Sequence, residues 1–183
     1  PSLSGKRILL YLGRFHPKKG VDMLLEGWVK KSFPDSLLVL AGPTEEKTPH
    51  LMKLIKKSES KKNILWTGML RGNEKWEMLR LADSLILPSH QENFGMVVAE
   101  ALAMGKPVYL TKKVNLWREV MEADAGAVVH DNQTGIDELL ENWNAKETRD
   151  FREKARACFE KKLHIRSAAA RLIALAEKTF QER

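Results

Sequence analysis

A chain of 183 residues is long enough to bury a full domain core, and 43% apolar with 30% charged residues is the make-up of a globular protein, not of a disordered or fibrous one. No apolar run approaches the roughly 20 residues of a membrane span, and residues 1–6 lack the charged-then-apolar order of a secretory signal, so the expected location is the cytoplasm. A net charge of +7 raises nucleic acid as a partner, but the basic residues crowd one helix end (Lys53, Lys56, Lys57, Lys61, Lys62) or alternate with acids near the C-terminus, as on a solvated face.

Residues 7–12, R-I-L-L-Y-L, form the first expected strand, buried on both faces. A loop, G-R-F-H-P-K-K-G, then leads into a helix over residues 21–31, whose Val21, Leu24, Leu25, Trp28 and Val29 recur at helical spacing. The loop places Arg14, Lys18 and Lys19 at the C-terminal end of a strand, where an arginine fork and a mobile ammonium can neutralise phosphate oxygens. Residues 36–41 read as the second strand, closed by Gly42-Pro43. A basic helix follows at 49–57 and a short strand at 63–66, then the loop Thr67-Gly68-Met69-Leu70. Residues 74–82 have helical periodicity through Met78, Leu79 and Leu81.

The most informative stretch comes next. A strand over 84–87 ends at Pro88, a polar loop carries Gln91, Glu92 and Asn93, and Gly95 opens a helix with Val97, Val98, Ala101, Leu102 and Met104 as its apolar positions. Helix N-termini expose unpaired amides and the positive end of the macrodipole, so the backbone at Phe94, Gly95, Met96 and Val97 offers an anion seat. Two carboxylates flank it, Glu92 and Glu100, with seven residues between them. Carboxylates accept from sugar hydroxyls, so an anion seat edged by acids suits a ligand carrying both phosphate and hydroxyl groups.

Gly105-Lys106-Pro107 breaks that helix before a strand at 108–110; a short helix at 116–122 and a sixth strand at 125–129 follow. A further helix, capped near Asn132 to Thr134, precedes C-terminal helices with apolar faces at Phe151, Ala155, Cys158 and Phe159 and at Leu172, Leu175 and Ala176. Cys158, the single cysteine, reads as a buried thiol, and no Cys/His cluster suggests a metal. His130 reads as a loop or packed histidine. Six short apolar runs alternating with helices predict an α/β fold: a Rossmann-like, three-layer α/β/α domain on a six-stranded parallel sheet with C-terminal helices, one domain over 1–183. The loops at 13–20, 67–70 and 88–96 then converge on one rim, where such sheets bind ligands. No G-x-G-x-x-G follows the first strand and no P-loop is present, which disfavours a dinucleotide or an NTPase.

Several motifs, in order, resemble the family 4 retaining glycosyltransferases (glycosyl transferases group 1). Gly13-Arg14 with Lys19-Gly20-Val21-Asp22 resembles its G-R-x(n)-K-G-x-D motif, Glu92 to Glu100 its Glu-x7-Glu signature with the internal Phe-Gly, Ala82-Asp83 its A-D step, and Ala103 to Val108 its A-x-G-x-P-V. Leu40-Ala41-Gly42-Pro43 keeps one glycine of the usual L-x-G-x-G, which weakens a phosphate role for that turn. The resemblance covers residues 8–143 and implies the C-terminal, donor-binding domain of a two-domain GT-B enzyme, with the N-terminal acceptor domain absent from this chain. Residues 1–6 read like the end of an interdomain linker.

The resemblance implies catalytic roles for Arg14, Lys19 and Glu92 and donor binding by Gly13, Gly68, Leu70, Asn93, Phe94, Gly95, Met96, Val97 and Glu100. The two cations would take the diphosphate, Glu92 the donor sugar, Glu100 the ribose, and the 67–70 backbone the base. The donor would be a nucleoside diphosphate sugar, with no metal or other cofactor, and a hexosyl group would pass to an acceptor hydroxyl with retained configuration. Partners would be the nucleotide sugar and the N-terminal domain in cis, with no nucleic acid and membrane association only through the absent domain. The alternative is a non-catalytic nucleotide-binding module of the same fold; a nucleic-acid binder lacks an aromatic-basic platform, since the five tryptophans are dispersed.

Overall fold

A computed structural model describes residues 5–31, 33–43, 53, 63–145 and 149–181. Its strands are β1 (Arg7–Leu12), β2 (Ser36–Ala41), β3 (Ile64–Gly68), β4 (Ser84–Leu87), β5 (Val108–Thr111) and β6 (Gly126–Val129). The described helices are α1 (Val21–Lys30), α2 (Gly72–Leu81), α3 (Met96–Ala103), α4 (Trp117–Glu122), α5 (Gln133–Ala145), α6 (Arg149–Cys158) and α7 (Ile165–Gln181), with a π turn at Phe159–Leu163 between the last two. The expected basic helix at 49–57 lies outside the described residues, apart from Lys53.

All six strands are parallel, in the order β3-β2-β1-β4-β5-β6. Strand order runs outward from β1 in one direction and from β4 in the other, so the sheet has a switch point between these two strands. The apolar runs demand this burial: β2, β4 and β5 are buried at every position, and so is the centre of β1. On one face α1 packs on α5; on the other, α6 packs on α3 and α4. Between α1 and α5, Trp28 and Trp143 lie 5.7 Å apart, with Phe33 4.5 Å from Trp28. Arg7, at the start of β1, donates to the Trp143 carbonyl at 2.8 Å and stacks over its ring.

Two boundaries differ from the sequence reading for identifiable reasons. β3 runs to Gly68 instead of Trp66, because the β2–β3 register shifts after Leu40 and pairs Ala41 with Gly68. α2 begins at Gly72, earlier than the apolar periodicity, because Glu74 reaches back to the Arg71 amide at 3.2 Å and caps the start. Cys158 is buried as expected, and that burial pushes its thiol up to about 11. The apolar positions of α7 form a face, but within this chain they stay open: Leu172 is 68% and Leu175 62% exposed. Among the described residues, no helix is long and apolar enough to cross a membrane.

The Tyr109 hydroxyl is buried without a hydrogen-bond partner among the described residues, and burial pushes its pKa up to about 12. Tyr109→Phe is therefore expected to stabilise the fold by about 1 kcal/mol, by removing a desolvated group with no partner. The unfolded phenol ionises first, near its ordinary value of 10.0, so wild-type stability falls as pH rises from there towards 12; the variant loses this part of the alkaline fall. Urea unfolding at pH 7 and across the alkaline range checks both effects.

Candidate functional site

The loops after β1 and β4 meet at the switch point and are locked together by backbone. The His90 amide donates to the Lys18 carbonyl at 2.8 Å, and the Thr111 hydroxyl holds the Ser89 carbonyl. Glu92 is gripped from the other side: its amide donates to the Lys113 carbonyl at 3.0 Å, and its own carbonyl accepts from the Asn115 amide at 3.1 Å. These two bonds form an isolated parallel bridge with Val114 and hold the acid's backbone against the segment after β5, although it sits in a loop. Beneath the first loop the buried Tyr11 hydroxyl donates to the Arg14 carbonyl at 2.7 Å. Burial, and then the charge of Glu92, raise the Tyr11 pKa well above the ordinary phenol value, so it stays a donor.

Two connected depressions of about 400 Å³ each occupy this rim. They share Arg14, Lys19, Glu92 and Asn93; one continues along Leu12, Gly13, Phe94, Gly95, Met96 and Val97, the other along His16, Lys18 and Gln91. Gly95 caps α3 with φ of 76°, a left-handed conformation that turns the chain sharply into the helix. The first intrahelical bond at this end comes from the Val98 amide, which leaves the Met96 and Val97 amides at the helix mouth for a ligand. Within the cavity the Lys19 ammonium is paired with the Glu92 carboxylate.

The structure thus gathers Gly13, Arg14, Lys19, Glu92, Asn93 and the 94–97 backbone around one space. It does not put Glu100, Gly68 or Leu70 on that lining. Glu100 lies one turn further along α3, and Gly68 ends β3, two strands outward from β1, with Leu70 just after it. The Glu100 carboxylate instead accepts from Lys75 of α2 at 2.6 Å. Four residues that the motifs did not single out belong here: His16, Lys18 and Gln91 in the cavity wall, and Lys75 beside Glu100. His16 accepts from the Lys18 amide through Nδ1 at 3.1 Å, so the neutral ring carries its proton on Nε2. The spacing of H-P-K-K, which favours a tight turn with a side-chain cap, was the available signal. Among the described residues, no group of three His, Cys, Asp or Glu side chains is placed to hold a metal ion.

A parallel sheet of order 3-2-1-4-5-6 with a cavity at its switch point defines a Rossmann-like α/β domain of the kind found in GT-B glycosyltransferases. The family model for glycosyl transferases group 1 matches residues 1–157, and the chain belongs to that family. It is 26% identical over 163 residues to the O-antigen chain mannosyltransferase C of Escherichia coli, covering 85% of this chain and 42% of that protein. It is 30% identical over 125 residues to a glycogen synthase of Mycobacterium tuberculosis, covering 67% of this chain and 30% of that one. The fold resembles the C-terminal domain of a glycosyl transferase group 1 family protein from Francisella tularensis, with a TM-score of 0.77, 23% identity and 88% of each chain covered. It also resembles a sucrose-phosphate synthase from Thermosynechococcus elongatus, with a TM-score of 0.79 and 20% identity, over 100% of this chain and 47% of that one. The chain spans less than half the length of these curated relatives.

Proposed function

We propose that this chain is the C-terminal, donor-binding half of a two-domain retaining glycosyltransferase, which moves a hexosyl group from a nucleoside diphosphate sugar to an acceptor hydroxyl. The observation that carries the reading is the meeting of Arg14, Lys19, Glu92 and the 94–97 amides around one cavity at the sheet's switch point. Family membership supports transfer over mere nucleotide binding, and the span of less than half of the relatives' length supports a further domain in cis, which would bring the acceptor. In this reading the Met96 and Val97 amides and the two cations take the diphosphate. As the bond from the anomeric carbon to the diphosphate breaks and the bond to the acceptor oxygen forms, negative charge builds on the leaving group, and fixed cations and amides stabilise it without reorganising. Glu92, held by Lys19 and by its backbone, accepts from the donor sugar's hydroxyls and orients the ring. No metal enters this scheme, and the protein works in the cytoplasm.

Calorimetric titration of the chain with UDP, GDP and ADP and their hexose conjugates tests it. One base is expected to give weak binding with no turnover by this chain alone, and Arg14→Ala is expected to weaken it about tenfold, as for loss of a charged hydrogen-bonding partner. Equal heats for wild type and Arg14→Ala would remove the diphosphate from this cavity.

A further inference from the structure

The cavity at the switch point carries more cationic groups than the diphosphate reading uses. His16 and Lys18 line the lobe that runs away from the mouth of α3, and neither lines the lobe that holds the helix amides with Arg14 and Lys19. The turn that carries them explains the division. Pro17–Lys19 is a single 3-10 turn, closed by the Lys19 amide on the His16 carbonyl at 2.8 Å and the Gly20 amide on the Pro17 carbonyl at 3.2 Å. Successive side chains on such a turn stand about 120° apart, so with Lys19 turned to Glu92, Lys18 is aimed elsewhere. Among the described residues the Lys18 ammonium forms no ion pair. His16 uses Nδ1 on the Lys18 amide, which leaves Nε2–H as a donor on a half-buried ring. Among the described residues that line this lobe Glu92 is the single acid, and Lys19 already neutralises it.

From these observations we propose that the second lobe seats an anionic group of the acceptor, a phosphate or a carboxylate, on Lys18 and His16, with Gln91 as a neutral donor beside them. The acceptor is then an acidic molecule. The proposal rests on the nucleotide-sugar reading above and names the acceptor class for it. In that reading Glu92 holds the transferred sugar, and Glu92 belongs to both lobes. The second lobe therefore adjoins the sugar on the side away from the helix amides, where the incoming acceptor has to stand. The diphosphate has its own cations, and Lys18 lies outside their lobe, so a second anion can enter without competing for them. The turn is also preorganised: the His90 amide holds the Lys18 carbonyl, so little backbone freedom is lost when the anion arrives.

The test is a nuclear magnetic resonance titration of the isotope-labelled chain, saturated with whichever of UDP, GDP and ADP binds. The probes are glucose, glucose 6-phosphate and glucuronate. Both acids are expected to bind more tightly than glucose and to move the signals of His16 and Lys18 without displacing the nucleotide. Lys18→Met should lower the preference for the acids by about threefold to fivefold, as for one exposed charge pair, and Lys18→Arg should restore it. His16→Asn, whose Oδ1 can still accept from the Lys18 amide, should lose part of the preference with the turn intact. Three results each overturn the proposal: equal binding of the acids and glucose, a preference that Lys18→Met leaves intact, or displacement of the nucleotide by the acids. A fourth comes from the donor side. If Lys18→Met weakens the hexuronate conjugate of the nucleotide and spares its hexose conjugate, the anion belongs to the transferred sugar and not to the acceptor. All four leave the diphosphate site standing, to be judged by Arg14→Ala, whereas a chain that binds no nucleoside diphosphate ends that reading and this one together.

Discussion

Gly20→Ala is expected to lower the stability of the chain by about 2–4 kcal/mol, a large loss for one methyl group. Gly20 has φ of 62°, and an added Cβ would stand 2.2 Å from the Pro88 carbonyl oxygen and 2.9 Å from the end of Met23. The methionine can swing aside, but the carbonyl belongs to the loop that carries Glu92 and cannot retreat without loosening the His90 to Lys18 bond. Strain and clash therefore add, and the variant should also lose nucleotide affinity, because the two loops that share the cavity would part. Gly5→Ala is the control: its φ is 78°, yet among the described residues nothing lies within 4 Å of the added atom, so left-handed strain alone remains, about 1 kcal/mol. Urea denaturation of both variants separates the contributions. Equal losses would mean that the approach of the two loops is not what Gly20 permits.

The architecture was legible because parallel strands buried on both faces need unbroken apolar runs, and residues such as 37–40 and 84–87 have no other use. Strand ends were less so: β3 reaches Gly68 because of a register shift in its neighbour, which no local pattern encodes. The site divides along the same line. Arg14, Lys19 and Glu92 follow strands that flank the switch point, so strand order alone brings them together. Glu100 was expected beside the donor through the resemblance to the Glu-x7-Glu signature; in the structure it stands a turn further along α3, outside the lining of this cavity, with its carboxylate on Lys75. That partner was hidden because it comes from a different helix, 25 residues away, where its neighbours read as ordinary amphipathic pattern. The α7 face shows the opposite case. Its periodicity was plain in the sequence, while what covers Leu172 and Leu175 is not a matter of local pattern at all.

The Lys19–Glu92 pair sets two opposite effects against each other in one ligand. Lys19→Met is expected to weaken a nucleoside diphosphate by tenfold to a hundredfold, while Glu92→Gln strengthens the same ligand by about twofold to fivefold. In the proposed scheme Lys19 gives the diphosphate a point charge; it also masks Glu92, whose side chain is 22% exposed and lies in the same cavity. Its removal costs the attraction and unmasks an acid beside the phosphates, a repulsion of about 3 kcal/mol at 5 Å and an effective dielectric of 20 before salt screening. Glu92→Gln keeps the shape and removes that repulsion, so the free diphosphate gains. The nucleotide sugar should lose by the same change, because the carboxylate that accepts from the sugar's hydroxyls becomes a weaker acceptor. Titration of each variant with the diphosphate and with its hexose conjugate, at low and high salt, reads all of these signs. The Lys19→Met penalty should shrink as salt rises, and part of it should return in Lys19→Met combined with Glu92→Gln. If Glu92→Gln weakens the diphosphate and its hexose conjugate alike, the acid is a structural strut of the loop and the sugar must be oriented by other groups.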